Sequence, residues 1–334
     1  MTEAFTFSIR LNNNHQIEEY VALARRAEAF GFDQFWVSND LFLKSAPVIL
    51  SAVARATSRI GIGTGILNPF TINPAEIAMI AATLDELSEN RFRLGFAAGA
   101  PEFIKWVGVE YRKPLAAVRE SVAAIRRLLR GEGGVPSPTL PWSRDAYLRF
   151  RAPRVTPIYL GAMGPKMLRL SGEIGDGALP LLLPPEHYFN VKPILEDGMA
   201  ARDPSLGAFD FACCIWVSLS RDLEAARRVL AEKIAYYGSA LHPTILERLS
   251  LTREDFAIIE RTVTEERDMD KASALVDERM LRIGVVGGAK EVIRRLEPLV
   301  AAGGRHLSFG PPLGPDPLEA VEILGREVLP YFRG

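Results

Sequence analysis

Three polar groups and three glycine-rich stretches carry most of the chemistry that this sequence can offer. Asp40 follows Asn39 directly behind the apolar run Phe35-Trp36-Val37, Glu102 lies just past Gly99, and Arg10 closes a short strand-like run near the N-terminus. Carboxylates just past strand ends suit proton transfer or the holding of a reacting group, and they serve equally as helix caps or surface charges. A guanidinium at Arg10 has two uses, an ion pair with Asp40 or Glu102 or the binding of a substrate carboxylate. The stretch 60–69, IGIGTGILNP, is dense in glycine where a strand should end, and Gly95, Ala97, Ala98 and Gly99 strip bulk from the next run. Such a pattern makes room for a flat ligand or for tight packing at a barrel corner. In 154–180, RVTPIYLGAMGPKMLRLSGEIGDGALP, small residues precede Pro165 at a first helical position. Free N–H groups at a helix start of this kind suit a phosphate, although a turn with no ligand gives the same pattern. His15, His187 and His242 read as solvated residues at helix ends or in an insertion, and His306 falls within a strand. Neither metal-ligand spacing nor a serine or cysteine nucleophile motif is present.

The elements that must hold these residues follow from periodicity. Short apolar runs at 4–9, 35–37, 60–64, 91–97, 158–160, 178–183, 209–219 and 305–309 read as strands, nearly each followed by a helical stripe. Asn73-Pro74-Ala75-Glu76, for example, supplies a cap, an N1 proline and an N3 glutamate. Eight such units predict an α/β chain folded as a single (β/α)8 TIM barrel over 1–334. Two insertions are expected, a surface excursion at about 131–153 and a helical, charge-rich segment at about 238–279. In that fold chemistry gathers at the C-terminal strand ends, which is where Arg10, Asn12, Asn39, Asp40, Glu102 and the glycine-rich turns fall.

A hydrophobic share of 48% allows a large core, and 40 basic residues against 41 acidic ones leave no electrostatic match to nucleic acid or an anionic membrane. Cys213 and Cys214, adjacent in an apolar run, read as strand packing rather than a redox or metal pair. With no apolar stretch of membrane-spanning length and no secretory leader pattern, a cytoplasmic protein is expected.

The segments GFDQFWVSND, IGTGILNPFTINPAEIAMIAATLDELSENRFRLGFAAG, IYLGAMGPKMLRLSGEIGDGALP and VGGAKEVIRRLEPLVAAGGRHLSF resemble the bacterial-luciferase-like superfamily. Within it, the likeness is to methylenetetrahydromethanopterin reductases that use the deazaflavin coenzyme F420, and it runs from about 5 to 332. The resemblance implies a bulge with a non-prolyl cis peptide at Gly65-Ile66 supporting the cofactor's central ring. It places Asn68 at the ring's edge, Asn39 among the cofactor-contacting positions, and Ala97, Ala98 and Gly99 on the wall beside the ring. Ala162, Met163 and Gly164, with Gly177 and Ala178, would cradle the phosphate tail. The chain departs from the pattern where Arg10 stands for a glutamate, Asn39-Asp40 for an Asp-His pair, and Ala100 for an acid, with Glu102 two positions on. The function implied is F420-dependent hydride transfer, with Asp40 or Glu102 orienting or protonating a small-molecule substrate and Arg10 anchoring its anionic group. An FMN-dependent monooxygenase and a cofactor-binding protein without turnover are the alternatives. The family usually forms dimers, so a homodimer is expected.

Overall fold

Side chains along strand β1 (Thr6–Leu11) alternate, with Phe7, Ile9 and Leu11 joining the layer packed against helices while Ser8 and Arg10 turn inward to side chains and carbonyls of distant strands. The computed structural model describes residues 4–140 and 145–334, so positions 141–144 of the expected surface excursion lie outside the described residues. The further strands are β2 (Gln34–Val37), β3 (Gly61–Thr64), β4 (Phe92–Phe96), β5 (Ile158–Leu160), β6 (Gly177–Ala178), β7 (Asp210–Leu219), β8 (Val285–Gly287) and β9 (His306–Leu313). All pairings are parallel, and the contacts β6 to β7, β7 to β9 and β9 to β1 close eight of the strands into a ring. This is the expected (β/α)8 barrel. The outward faces pack on helices that include Ile17–Ala29, Ala46–Ala56, Pro74–Leu87, Pro114–Leu129, Pro165–Ile174 and Ala289–Ala301, forming one continuous apolar layer. Among the described residues, no helix is long and apolar enough to cross a membrane.

The interior is plugged. Trp36, Tyr159, Leu179 and Ala212 form a buried cluster inside the ring, with the Trp36 and Tyr159 ring centroids 5.1 Å apart. Below it, His306 binds Asp210 and Ser8, each at 2.8 Å, and the Tyr159 hydroxyl donates to Asp210 at 2.7 Å. Burial works to raise the Asp210 pKa, but His306, Tyr159 and Arg93 outweigh it and hold the carboxyl below its usual range. The glycines of β3 serve this filling. A side chain at Gly61 would strike Arg93, and one at Gly63 would strike the Trp36 ring, so two of the glycines read as clearing space for a ligand clear it for barrel-filling side chains.

Three expectations change. The sixth strand was expected over 178–183 but only Gly177–Ala178 pairs, because Pro180 has no N–H to continue the ladder. Val285–Gly287 forms an extra strand that pairs with Val217, Ser218 and Leu219 at the far end of β7, outside the closed ring. A short helix, Pro101–Trp106, follows β4 and carries Glu102. The segment after helix Leu223–Tyr237 is helical as expected, and its short helices build a second apolar cluster around Trp216, Leu230, Ile234 and Phe256.

One buried carboxylate ties β4 to the approach to β5. Asp85 is fully buried and receives Arg154 at 2.9 Å, the Thr156 hydroxyl at 2.5 Å and the Phe92 N–H at 3.2 Å. Removing one partner of such a group leaves the others unpaired, at a cost of roughly 3–5 kcal/mol. Asp85→Ala is expected to lower stability by about that much, measured as a shift of the urea unfolding midpoint with an unchanged slope.

Candidate functional site

The strand C-terminal ends open on one mouth, and Arg10 lies across its floor. The guanidinium is 3% exposed. Its Nη1 donates to the Pro180 carbonyl at 2.9 Å and contacts the Cys214 Sγ at 3.6 Å, while Nη2 donates to the Gly65 carbonyl at 3.1 Å. Arg10 therefore forms no ion pair with Asp40 or Glu102, and it links the ends of β1, β3 and β6 through backbone oxygens. The Gly65-Ile66 peptide is cis.

Asp40 is half-buried at the rim. Its backbone is clamped by Asn13, which donates to the Asp40 carbonyl at 3.0 Å and accepts the Asp40 N–H at 3.2 Å. Burial pushes the Asp40 carboxyl pKa up, with Lys233 and Arg10 pulling it back. Asn39 spends its side-chain oxygen on the Ala46 N–H at 3.0 Å, starting the next helix. Asn68, 6% exposed, accepts from the Phe70 and Thr71 N–H groups, both at 3.0 Å, which leaves its amide NH2 to face outward. Ala97, Ala98 and Gly99 follow the end of β4, the two alanines buried and Gly99 at a φ of +76° that favours glycine. Glu102 is exposed on the short helix Pro101–Trp106, farther out than the others.

Ala162, Met163 and Gly164 form the turn that starts helix Pro165–Ile174. A side chain at Gly164 would come into ordinary contact with His242, whose Nε2 would lie 3.6 Å away, so the turn is packed against this imidazole without being crowded by it. Gly177 and Ala178 are elsewhere. They form β6 itself, Ala178 is fully buried, and the space beside Gly177 is closed by Tyr159 and the Asp210 carbonyl, so neither lines this cradle.

Two residues at the mouth were not anticipated. Lys233, on helix Leu223–Tyr237, is 9% exposed and sits with its Nζ 4.1 Å from the Tyr237 ring centroid and 3.5 Å from the Asn12 Oδ1. His187, expected to be solvated, is 3% exposed beneath the cradle, beside Ala162, Met163, Pro180 and Ile245. A surface groove also runs between Arg126, Arg130, Ile174 and Ser205, at helix C-termini on the opposite end of the barrel.

A geometry of plugged barrel, open mouth and glycine-led turn at the fifth helix matches a known family over most of its length. The model of the luciferase-like monooxygenase family aligns with residues 4–306. The chain belongs to this family. Among its relatives, the 5,10-methylenetetrahydromethanopterin reductase of Archaeoglobus fulgidus is 31% identical over 96% of each chain. An F420-dependent glucose-6-phosphate dehydrogenase of Amycolatopsis mediterranei is 29% identical over 94% of each. The solved structure of the coenzyme F420-dependent tetrahydromethanopterin reductase from Methanopyrus kandleri superposes with a TM-score of 0.90 at 28% identity, covering 99% of this chain and all of that one. For a luciferase-like protein, the residues brought together here are Arg10, Asn12, Asp40, Gly65, Ile66, Asn68, Ala97 and Gly99 on the mouth, with Ala162, Met163 and Gly164 at its side.

Burial pushes the His187 pKa from 6.5 down to about 4, with His242 and Arg248 adding to the shift. The unfolded chain takes up this proton near pH 6.5, whereas the fold resists it until about pH 4. Stability present above pH 6.5 is therefore lost as pH falls toward 4, by about 3 kcal/mol at most from this group. In His187→Gln the same urea titration series is expected to show a flatter decline across that window.

Proposed function

We propose that this chain is an F420-dependent oxidoreductase, passing hydride between the deazaflavin and an electron-poor carbon of a small organic substrate in the manner of the methylenetetrahydromethanopterin reductases. The observation that carries the reading is full-length likeness to F420-dependent relatives combined with a mouth that fits such a group. Fit rests on two features of the chain. Ala97, beside Ile66 at Gly161, and its neighbours Ala98 and Gly99 carry almost no side-chain bulk, and the turn at Gly164, bordered by His242, precedes helix N–H groups suited to an anionic tail. When bound, the deazaflavin supplies the two-electron chemistry, and the protein supplies position and charge.

In this reading Gly65, Ile66 and Asn68 hold the ring, Ala162, Met163 and Gly164 the tail, and Arg10 is a positioning residue that fixes the peptide under the ring. Asp40 is the carboxylate that meets the substrate, because it is at the rim with its side-chain oxygens free of hydrogen bonds from described residues, whereas Glu102 lies out on the exposed helix. The substrate lies between Asp40 and the segment 238–279.

Titration separates the cofactors. F420 is expected to bind with quenching of its fluorescence and saturation within about 1–100 μM. FMN is expected to bind at least tenfold more weakly, about 1.4 kcal/mol. Equal or tighter FMN binding would move the chain to the oxygen-activating members of the family, and tight F420 binding with no reduction of any C=C, C=N or C=O substrate tried would leave a binding protein.

The working unit in this proposal is a homodimer, supported by Val48 and Met79, which are 59% and 49% exposed on the neighbouring helices Ala46–Ala56 and Pro74–Leu87. Sedimentation equilibrium should return twice the 36.8 kDa chain mass, and Val48→Glu should return the monomer.

A further inference from the structure

Hydride delivered to the carbon of a C=N or C=O group leaves an electron pair on the heteroatom, and that pair needs a proton. The groups able to give one at the mouth are few. Glu102 is exposed and off the rim, Cys214 is buried against Arg10, and the Tyr237 hydroxyl is pushed well above its ordinary pKa by burial. Asp40 and Lys233 remain.

Lys233 is built unlike a packing lysine. It reaches inward from helix Leu223–Tyr237, its ammonium lies between the faces of Tyr237, at 4.1 Å, and Trp216, at 5.1 Å, and no carboxylate stands within 4.0 Å among the described residues. Its one oxygen acceptor is the Asn12 Oδ1 at a long 3.5 Å. The indole N–H of Trp216 beside it is also buried without an acceptor. Aromatic faces stabilise a cation but accept no proton, so an ammonium so placed keeps N–H bonds to give. A buried charge without an acid costs stability, and the arrangement is explained if a ligand completes it.

We propose that Lys233 is the proton donor of the reaction, a catalytic residue whose ammonium protonates the substrate heteroatom as hydride reaches the adjacent carbon. This deepens the F420 reading and rests on it. In the reductive direction the electron pair of the substrate's C=N or C=O π bond, or of the C–N bond that opens when a methylene group bridges two nitrogens, moves onto the heteroatom, the Lys233 N–H bond breaks and a heteroatom–H bond forms. The substrate is reduced by two electrons and the deazaflavin oxidised by two. The amine left on Lys233 regains a proton from water, matching the proton that the reduced deazaflavin gives up with its hydride.

The groups facing Lys233 are Arg10 from β1 and Asn12 just past it, Asp40 from the loop after β2, Cys214 and Trp216 from β7, and Tyr237 from its own helix. Burial pushes the ammonium from 10.5 down to about 8; Asp40 opposes that shift, Arg10 reinforces it, and Cys214 opposes it weakly. The donor form is thus present below about pH 8, and reduction should fall as pH rises through that value.

The test has two arms on the full-length protein. In protein labelled with ¹⁵N-lysine, one Nζ resonance should titrate near pH 8 and be missing from Lys233→Met; titration of that signal near the ordinary 10.5 overturns the proposal. In single turnovers of reduced F420 with 5,10-methylenetetrahydromethanopterin as the probe, Lys233→Met should slow hydride transfer at neutral pH by about 100-fold or more, with the pH limb near 8 abolished. F420 fluorescence quenching should stay as in the wild type, and the melting temperature should not fall, since the variant removes a charge that is costly to bury. Lys233→Arg keeps the charge but holds its proton, so it should be as slow as the methionine variant. Recovery by arginine to within a few-fold would show a residue that only anchors an anion and would sink the role proposed here. Should the wild type be inert toward this probe, the Nζ titration decides alone. Failure of the wild type to quench F420 at all defeats the cofactor reading instead, a result visible before any variant is made.

Discussion

A guanidinium enclosed in a barrel of parallel strands must be solvated by something other than water, and Arg10 is solvated by the carbonyls of Gly65 and Pro180. Much of the mouth follows from that requirement. Carbonyl dipoles replace water for a buried charge only when they are held at hydrogen-bond distance, so the ends of β1, β3 and β6 are drawn to fixed positions around one side chain. The strand neighbours make way for it. Gly65 leaves the Arg10 Nε room, and a side chain at Gly310 would collide with the Arg10 backbone. Lower in the ring the same exchange repeats, with Gly63 yielding to Trp36 and Gly61 to Arg93. Each wide inward side chain has a glycine opposite it, so the cylinder is full and a ligand is confined to its rim.

The rim then carries the electrostatics. Two cations, Arg10 and Lys233, lie near one carboxylate, Asp40, close enough for both to act on the Asp40 carboxyl and for Asp40 and Arg10 to act on the Lys233 ammonium. Burial drives the two titratable members in opposite directions, Asp40 toward its acid and Lys233 toward its amine. Such a pair is an arrangement in which acid and base roles can be divided near neutral pH. It also sets a positive balance at the place where hydride transfer builds negative charge on a substrate, and fixed charge of that sign favours the transition state over the ground state.

The fold was legible in the sequence because the strand and helix periods are regular. Alternating units gave the eight strands of the ring, and the cap at Asn73 begins its helix as read, with the Asn73 side chain accepting the Ala75 N–H at 2.9 Å. The turn at Ala162, Met163 and Gly164 and the helix start behind it were legible for a related reason, since proline behind small residues marks a first helical position. What spacing does not carry is which partner an inward residue meets across the ring. The β3 glycines looked like space for a ligand, but the residues occupying that space, Trp36 and Arg93, come from neighbouring strands far away in sequence. Lys233 was hidden by its surroundings. Within Leu223–Tyr237 it reads as one more charge on a solvated helix, and it is buried because the helix turns it toward Asn12, Trp216 and Tyr237, partners that spacing along the helix does not reveal. His187 was misread in the same way, as a polar residue at a helix end whose cover comes from Ile245 and the turn at Ala162.

That returning segment joins two parts of the site that the barrel alone keeps separate. It brings His242 against Gly164, and its apolar cluster packs on the helix that presents Lys233. A change in its packing therefore acts on the turn at Gly164 and on that helix together, though they follow different strands. The cylinder, by contrast, is indifferent to such a change, since its contents are held by Trp36, Tyr159 and the Asp210–His306 pair well below the rim. The segment 238–279 thus packs on the turn at Gly164 and on helix Leu223–Tyr237, while the ring beneath supplies a floor whose own cluster, around Trp36 and Tyr159, it does not join.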